Sequence, residues 1–306
     1  MNCRKIRQTI ISRLREQTAR RHGAVGMGEE MRRGLILASL VAGVAASAYG
    51  LMPAGAEAPG VPSPVSNTGR PAGDGFIVDF TQGLDRVTHV RANWDVASEW
   101  MAASYRSDNV EYGADGLTLH ARRNETSVAG YTSGEFQRSG FYGYGKYEVV
   151  MKASNAPGIV SAFFTYAGED MGDPHDEIDF ELLGRSPRQA HLNYFSNGAN
   201  YPVDVDLWFD PSAAEHLYGY EWSPDAIIWY VDRVQVRRVV AGPDVRIPTT
   251  TARVMASLWA GNRRVAEWAG WPTTDAASAT YSCMSHVPMG KTGPQCSDSY
   301  KLPEER

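Results

Sequence analysis

Cysteine is scarce in this 306-residue chain, which carries only Cys3, Cys283 and Cys296. There is no C-x-x-C pair and no His-x-x-x-His spacing, so a zinc framework is not expected. Neither Cys283 nor Cys296 has the neighbours of a thiolate nucleophile. Helical periodicity is missing as well. No helix-length gap separates the strand-like runs, which argues against a parallel βαβ sheet. Internal repeats are absent. Positive charge is scarce beyond the start of the chain: residues 1–56 hold nine Lys/Arg against three Asp/Glu, and the remainder holds 21 against 32, a net −11. A surface of that sign repels phosphate backbones, so nucleic acid is not an expected partner.

One uninterrupted apolar run is present. It follows Arg32-Arg33, extends over residues 34–49, and is succeeded by Ala54-Gly55-Ala56. This is the n-region, h-region and small-residue order of an export signal, with cleavage expected after Ala56. Met27 or Met31 would give a conventional n-region. Translation from Met1 would leave the alternative of an uncleaved anchor, although the run is short for a membrane span. Cleavage implies a secreted or periplasmic protein with no stable membrane association. With Cys3 in that segment, Cys283 and Cys296 remain as a tentative disulfide, the alternative being two unrelated thiols.

The expected organisation is a basic N-terminus and signal over 1–56, a Pro/Gly/Ser-rich linker over 57–75, one domain over 76–289, and a polar tail over 290–306 expected to fray. Within the domain, strand-like runs fall at 76–80, 109–112, 117–122, 134–138, 145–152, 159–166, 177–183, 189–195, 217–222, 226–231, 234–240, 253–259 and 279–287. Many alternate apolar with polar residues, and turn signals such as Ala114-Asp115-Gly116 and Ser196-Asn197-Gly198 separate them. The pattern predicts an all-β, two-sheet antiparallel β-sandwich. Eight Trp and fifteen Tyr suit sugar binding and ordinary packing equally.

The segment His175-Asp176-Glu177-Ile178-Asp179-Phe180-Glu181 stands out. Alternation on a strand puts Glu177, Asp179 and Glu181 on one face and Ile178, Phe180 and Leu182 on the other. Like charges that close raise one another's pKa, so one acid can stay protonated while another is ionised. Glycoside hydrolysis needs that division. Four residues of flat strand span about 13 Å, whereas retaining enzymes hold their carboxyls about 5–5.5 Å apart, so curvature would have to bring the two Glu together. A calcium site or a plain solvated face are the other readings of the same pattern.

His175 to Gly184 resembles the signature of glycoside hydrolase family 16. The likeness extends in collinear order over residues 76–288, through Tyr142-Gly143-Tyr144-Gly145-Lys146-Tyr147-Glu148, Gly158 to Tyr166, Asn193 to Gly198 and Trp229-Tyr230-Val231-Asp232. It implies a concanavalin A-like jelly roll with a cleft across its concave sheet. The same resemblance implies that Glu177 is the nucleophile, Glu181 the general acid/base and Asp179 the assisting acid. Glu135, Asn193, Trp259 and Trp268 match positions that line the cleft in the bacterial lichenases. His175 stands where lichenases carry Trp, and His-Asp-Glu-Ile-Asp-Phe-Glu resembles plant xyloglucan-active members and bacterial exopolysaccharide depolymerases. His175 would either orient a catalytic Glu or pack at the rim. Ser257 and Ala260 replace lichenase Asn residues. Ser282 replaces an Asp that binds structural calcium, so no metal or other cofactor is expected.

The function so implied is a monomeric, retaining endo-β-glycanase acting on mixed-linkage glucan or a succinoglycan-type exopolysaccharide. A transglycosylase, a lectin-like binding module on the same sandwich, and an anchored role in envelope assembly are the alternatives.

Overall fold

The computed structural model describes residues 72–82, 89–95, 101–127 and 130–305. The signal segment and all but the end of the linker lie outside the described residues. Among the described residues, seventeen strands form two largely antiparallel sheets. The first runs β4 (Val110–Gly113), β5 (Gly116–Arg123), β17 (Ala276–Pro288), β7 (Gly145–Lys152), β13 (His216–Trp222), β14 (Ala226–Val231) and β15 (Val234–Val240). β1 (Phe76–Asp79) continues the line of β5 along β17.

The second sheet runs β2 (His89–Arg91), β6 (Tyr131–Arg138), β16 (Arg253–Ala260), β8 (Ile159–Ala167), β9 (Asp176–Leu183) and β10 (Gln189–Ser196). It ends in β11 (Ala199–Asn200) and β12 (Val203–Asp206). β6 also pairs with β5 and, in parallel, with β3 (Ser104–Tyr105), which joins the two sheets. The antiparallel sandwich expected from the sequence is therefore present. β2, β3, β11 and β12 were not foreseen, being two to four residues long and too short to show alternation.

Both sheets turn aromatic and branched side chains inward, among them Tyr147, Phe163, Phe180, Tyr218, Tyr220 and Trp229, and Ile178, Phe180 and Leu182 of β9 join this core. Each such burial stabilises the fold by about 1.5–3 kcal/mol. The inner face of β9 thus anchors the strand whose outer face carries the acids. Its start is fixed as well: Asp176 Oδ1 accepts from the Asn197 amide at 2.8 Å, and Oδ2 from Thr249 and Thr250 at 2.9 and 3.0 Å. Asn197 and Gly198 turn at φ 50° and 82°, the left-handed conformation that an Asn-Gly hairpin supplies cheaply.

The tail corrects one expectation. Its polarity suggested fraying, yet Cys296 and Tyr300 are buried against Val150 and Leu217. Cys296 opens a short helix, α2 (Cys296–Ser299), and is bonded to Cys283. Arg233 donates to the carbonyls of Ser297 and Tyr300 at 2.8 and 2.9 Å, and Tyr300 Oη donates to Asp232 Oδ1 at 2.8 Å. Two anchors in an otherwise polar segment leave no periodic signal in the sequence. Opening the bond by Cys296→Ser is expected to lower stability by about 2–4 kcal/mol. Hydrogen exchange should show the α2 amides losing protection while β9 keeps its own; simultaneous loss in both would contradict the tail's being a separate clasp.

Candidate active site

On the outer face of the second sheet, Glu181 lies between Ala162 and His191, Asp179 between Phe164 and Asn193, and Glu177 between Tyr166 and Phe195. All three acids are almost completely buried. Burial in a low dielectric disfavours the charged form, and its effects differ along the strand. Glu181 is pushed up to about 8, by burial first and then by the charge of Asp179. Asp179 is held well above the carboxylate range by burial, by the Glu177 charge and by its hydrogen bond with Glu177. Burial also raises Glu177, but the Asp179 hydrogen bond pulls it in the opposite direction. Both carboxyls are thus held above the ordinary carboxylate range, and they share a hydrogen bond.

His175 supplies a second donor. Its Nε2 lies 2.7 Å from Glu177 Oε2, and burial pulls the imidazole down to about 4. The ring is neutral near pH 7, so the contact is a hydrogen bond and not an ion pair. With Glu177 ionised, Nε2 is the donor, because a carboxylate offers only lone pairs. The ring stacks on Phe195 at 4.1 Å and meets Tyr166 edge-on at 5.7 Å. His175 is thus in hydrogen-bond contact with Glu177 and packed between two aromatic rings.

The other expected contacts divide. Glu135 is buried and accepts from Gln137 Nε2 at 2.8 Å, and it also hydrogen-bonds to Tyr105. Gln137 in turn accepts from Arg253 at 2.8 Å. Asn193 Oδ1 accepts from the Tyr201 amide at 3.0 Å, while its Nδ2 is without a protein partner. Trp268 is partly exposed on the short helix α1 (Ala266–Ala269) and stacks on Trp259 at 6.0 Å. Trp259 itself is 0 % exposed. Ala92, Met101, Ala103 and Tyr105 pack with it, and it backs Trp268. Sequence reasoning missed Tyr105, Gln137, Arg253, His191, Asp204, and the Tyr166–Asp170 hydrogen bond of 2.7 Å. Alternation along β10 would have put His191 beside Asn193; nothing marks the partners that reach the face from other strands.

Among the described residues, no group of three or more His, Cys, Asp or Glu side chains is arranged to hold a metal ion. Ser282 lies at the register shift of β17.

Fold and site together define a β-sandwich protein with three buried acids along the outer face of one strand, the arrangement of a carbohydrate-active enzyme. Residues 97–280 match Glycosyl hydrolases family 16, and the chain belongs to that family. A beta-glucanase of Acetivibrio thermocellus is 36% identical over 218 residues, covering 70% of this chain and 63% of that protein. A beta-glucanase of Bacillus subtilis (strain 168) is 45% identical over 141 residues, 46% of this chain and 56% of that one. The chain thus spans less than two thirds of either relative. The solved structure of a prokaryotic beta-1,3-1,4-glucanase (lichenase) from a mouse hindgut metagenome matches at TM-score 0.67 and 32% identity, covering 71% of this chain and 100% of that one. The likeness to that solved structure shows the jelly-roll fold of this chain.

The raised pKa of Glu181 makes a stability prediction. Between the ordinary value of 4.5 and about 8 the folded state binds one proton more than the unfolded state, so stability falls as pH rises through that window. Urea titrations of Glu181→Gln should lose this part of the decline, leaving the variant more stable than the parent at pH 8 by on the order of a few kcal/mol. Parallel curves would contradict the assignment.

Proposed function

We propose that the chain is a retaining endo-β-glycanase that hydrolyses internal β-1,3 or β-1,4 glucosidic bonds in mixed-linkage glucan or a succinoglycan-type bacterial exopolysaccharide. The observation that carries this reading is the different setting of two Glu on one strand. Glu177 receives hydrogen bonds from Asp179 and His175. Glu181 is held protonated near neutrality by burial. The beta-glucanase and lichenase relatives support a glucan substrate. His175 is the reason an exopolysaccharide is kept beside it. Export follows from a polymeric substrate, and a disulfide at Cys283–Cys296 is in keeping with an oxidising compartment.

In the first step Glu177 attacks the anomeric carbon while the Glu181 proton passes to the departing glycosidic oxygen. The C–O bond breaks and a glycosyl ester on Glu177 forms. Asp179 and His175 hold the attacking oxygen in place. Glu181, now a carboxylate, takes a proton from water, and the oxygen of that water displaces Glu177. Two displacements at one carbon give net retention.

Glu177→Gln should abolish cleavage and leave polysaccharide binding intact, as followed by reducing-sugar release and affinity electrophoresis; unchanged activity would remove Glu177 from its role. Azide should rescue Glu181→Ala and yield a β-glycosyl azide, because azide then attacks the covalent intermediate without base assistance. An α-azide would indicate that the two Glu exchange roles. A screen across barley-type mixed-linkage glucan, laminarin, xyloglucan and succinoglycan-type polymer, with and without an oligosaccharide acceptor, fixes substrate and separates hydrolysis from transglycosylation.

A further inference from the structure

The face of the first sheet turned away from the core, on the opposite side of the sandwich from the acids, carries a recess of about 390 Å³. Its origin is a missing side chain. Tyr147, Tyr218, Tyr220 and Trp229 point into the core, so alternation turns Lys146, Glu148, Gly219, Glu221 and Tyr230 outward. Register sets Gly219 between Glu148 on β7 and Tyr230 on β14, and a Cβ there would lie 2.3 Å from the Tyr147 carbonyl oxygen. Only glycine fits. The next row, Lys146 beside Glu221, closes one side, and Arg233 with Ser297 and Asp298 of the clasped tail closes another.

The polar groups around the recess are held in place and keep bonding capacity. Glu148, its side chain 4 % exposed, lies 2.6 Å from Lys146 through Oε1 and accepts from the Ser297 amide at 2.8 Å through Oε2. Lys146 also donates to Gln295 Oε1 at 3.0 Å, which leaves its third hydrogen. Arg233 uses only Nη2 on the tail carbonyls, and Tyr230 hydrogen-bonds to Glu221. Lys146 and Arg233 thus stand against Glu148, Glu221 and Asp298. A phosphate or sulfate would meet that negative excess, and a metal ion would find both Glu148 oxygens engaged. A neutral sugar meets neither obstacle, because each hydroxyl both donates and accepts and the half-exposed Tyr230 ring offers a face for stacking. The volume suits a small-ligand site.

We propose that this recess is a second, non-catalytic site for a neutral β-glucan segment, which holds the polymer on the back of the sandwich while another stretch lies across the acids. The inference rests on the glucan reading of the substrate. Two sites that engage one polymer raise the effective concentration of each for the other, so the recess acts on the capture of long chains and not on the chemistry.

The test uses the full chain carrying Glu177→Gln, which leaves the sugar uncleaved, and follows backbone amides by NMR as cellotetraose or a barley mixed-linkage tetrasaccharide is added. The Gly219, Tyr230 and Ser297 amides should shift along a saturation curve separate from that of β9. Tyr230→Ala or Glu221→Ala should weaken the first curve about tenfold and leave the second in place. Glu221 is exposed, so Glu221→Ala should fold even if Tyr230→Ala does not. In the otherwise unaltered enzyme the same substitutions should raise KM on barley glucan several-fold, with kcat and the tetrasaccharide KM unchanged. Shifts in β9 without shifts at the recess overturn the proposal and leave the glucan reading intact. Shifts at the recess without shifts in β9 uphold the second site and refute the cleft as a glucan site. Silence at both overturns the two together, and equal recess shifts with sodium phosphate or calcium chloride in place of the sugar overturn the choice of ligand.

Discussion

The structure depends on burying three carboxyls on one strand without losing the strand. Ionised acids in a low dielectric are destabilising by several kcal/mol each unless they are protonated or hydrogen-bonded. Here each acid has its own setting. Asp179 is held above the carboxylate range and shares a hydrogen bond with Glu177; Glu177 is also in hydrogen-bond contact with His175; Glu181 remains protonated near neutral pH. The inner face of the same strand offsets the strain, since Ile178, Phe180 and Leu182 sit in the main core. Trp229 also donates from that side to the Asp179 carbonyl at 3.2 Å.

That balance explains why the residues around the acids are polar yet not free. Asp176 has no proposed chemical role, but it ties the Asn197-Gly198 turn and the 249–250 segment to the start of β9. Glu135, Gln137 and Arg253 form a chain of hydrogen bonds along β6 and β16. Such networks fix geometry when each member is satisfied. Four of the orphaned atoms lie on the same face: Asp179 Oδ2, Glu181 Oε2, His191 Nε2 and Asn193 Nδ2 have no protein partner. Unsatisfied buried groups are expensive in a resting fold and are useful where sugar hydroxyls would supply the missing hydrogen bonds.

Much of this was legible in the chain. Strict alternation placed Glu177, Asp179 and Glu181 together, and the observed β9 has them so. The long strands, such as β7 and β8, announced themselves through runs of eight or nine residues. What stayed hidden was contact between distant segments. Trp259 could be assigned to the right strand but not to the right depth, because its burial comes from Ala92, Met101, Ala103 and Tyr105, which lie in short segments that carry no pattern. Asp204 could not be tied to His191, since the pairing of β12 with β10 is a register that no local signal states. The tail failed for a similar reason: Cys296 and Tyr300 are two apolar anchors among polar neighbours.

The central claim is that Glu177 attacks carbon while Glu181 handles the proton. The direct measurement is to trap the intermediate with an activated 2-deoxy-2-fluoro oligosaccharide of the preferred linkage, digest the protein, and locate the attached sugar by mass spectrometry. The account predicts one sugar, esterified to Glu177. A sugar on Glu181, or inactivation without any covalent adduct, would contradict it.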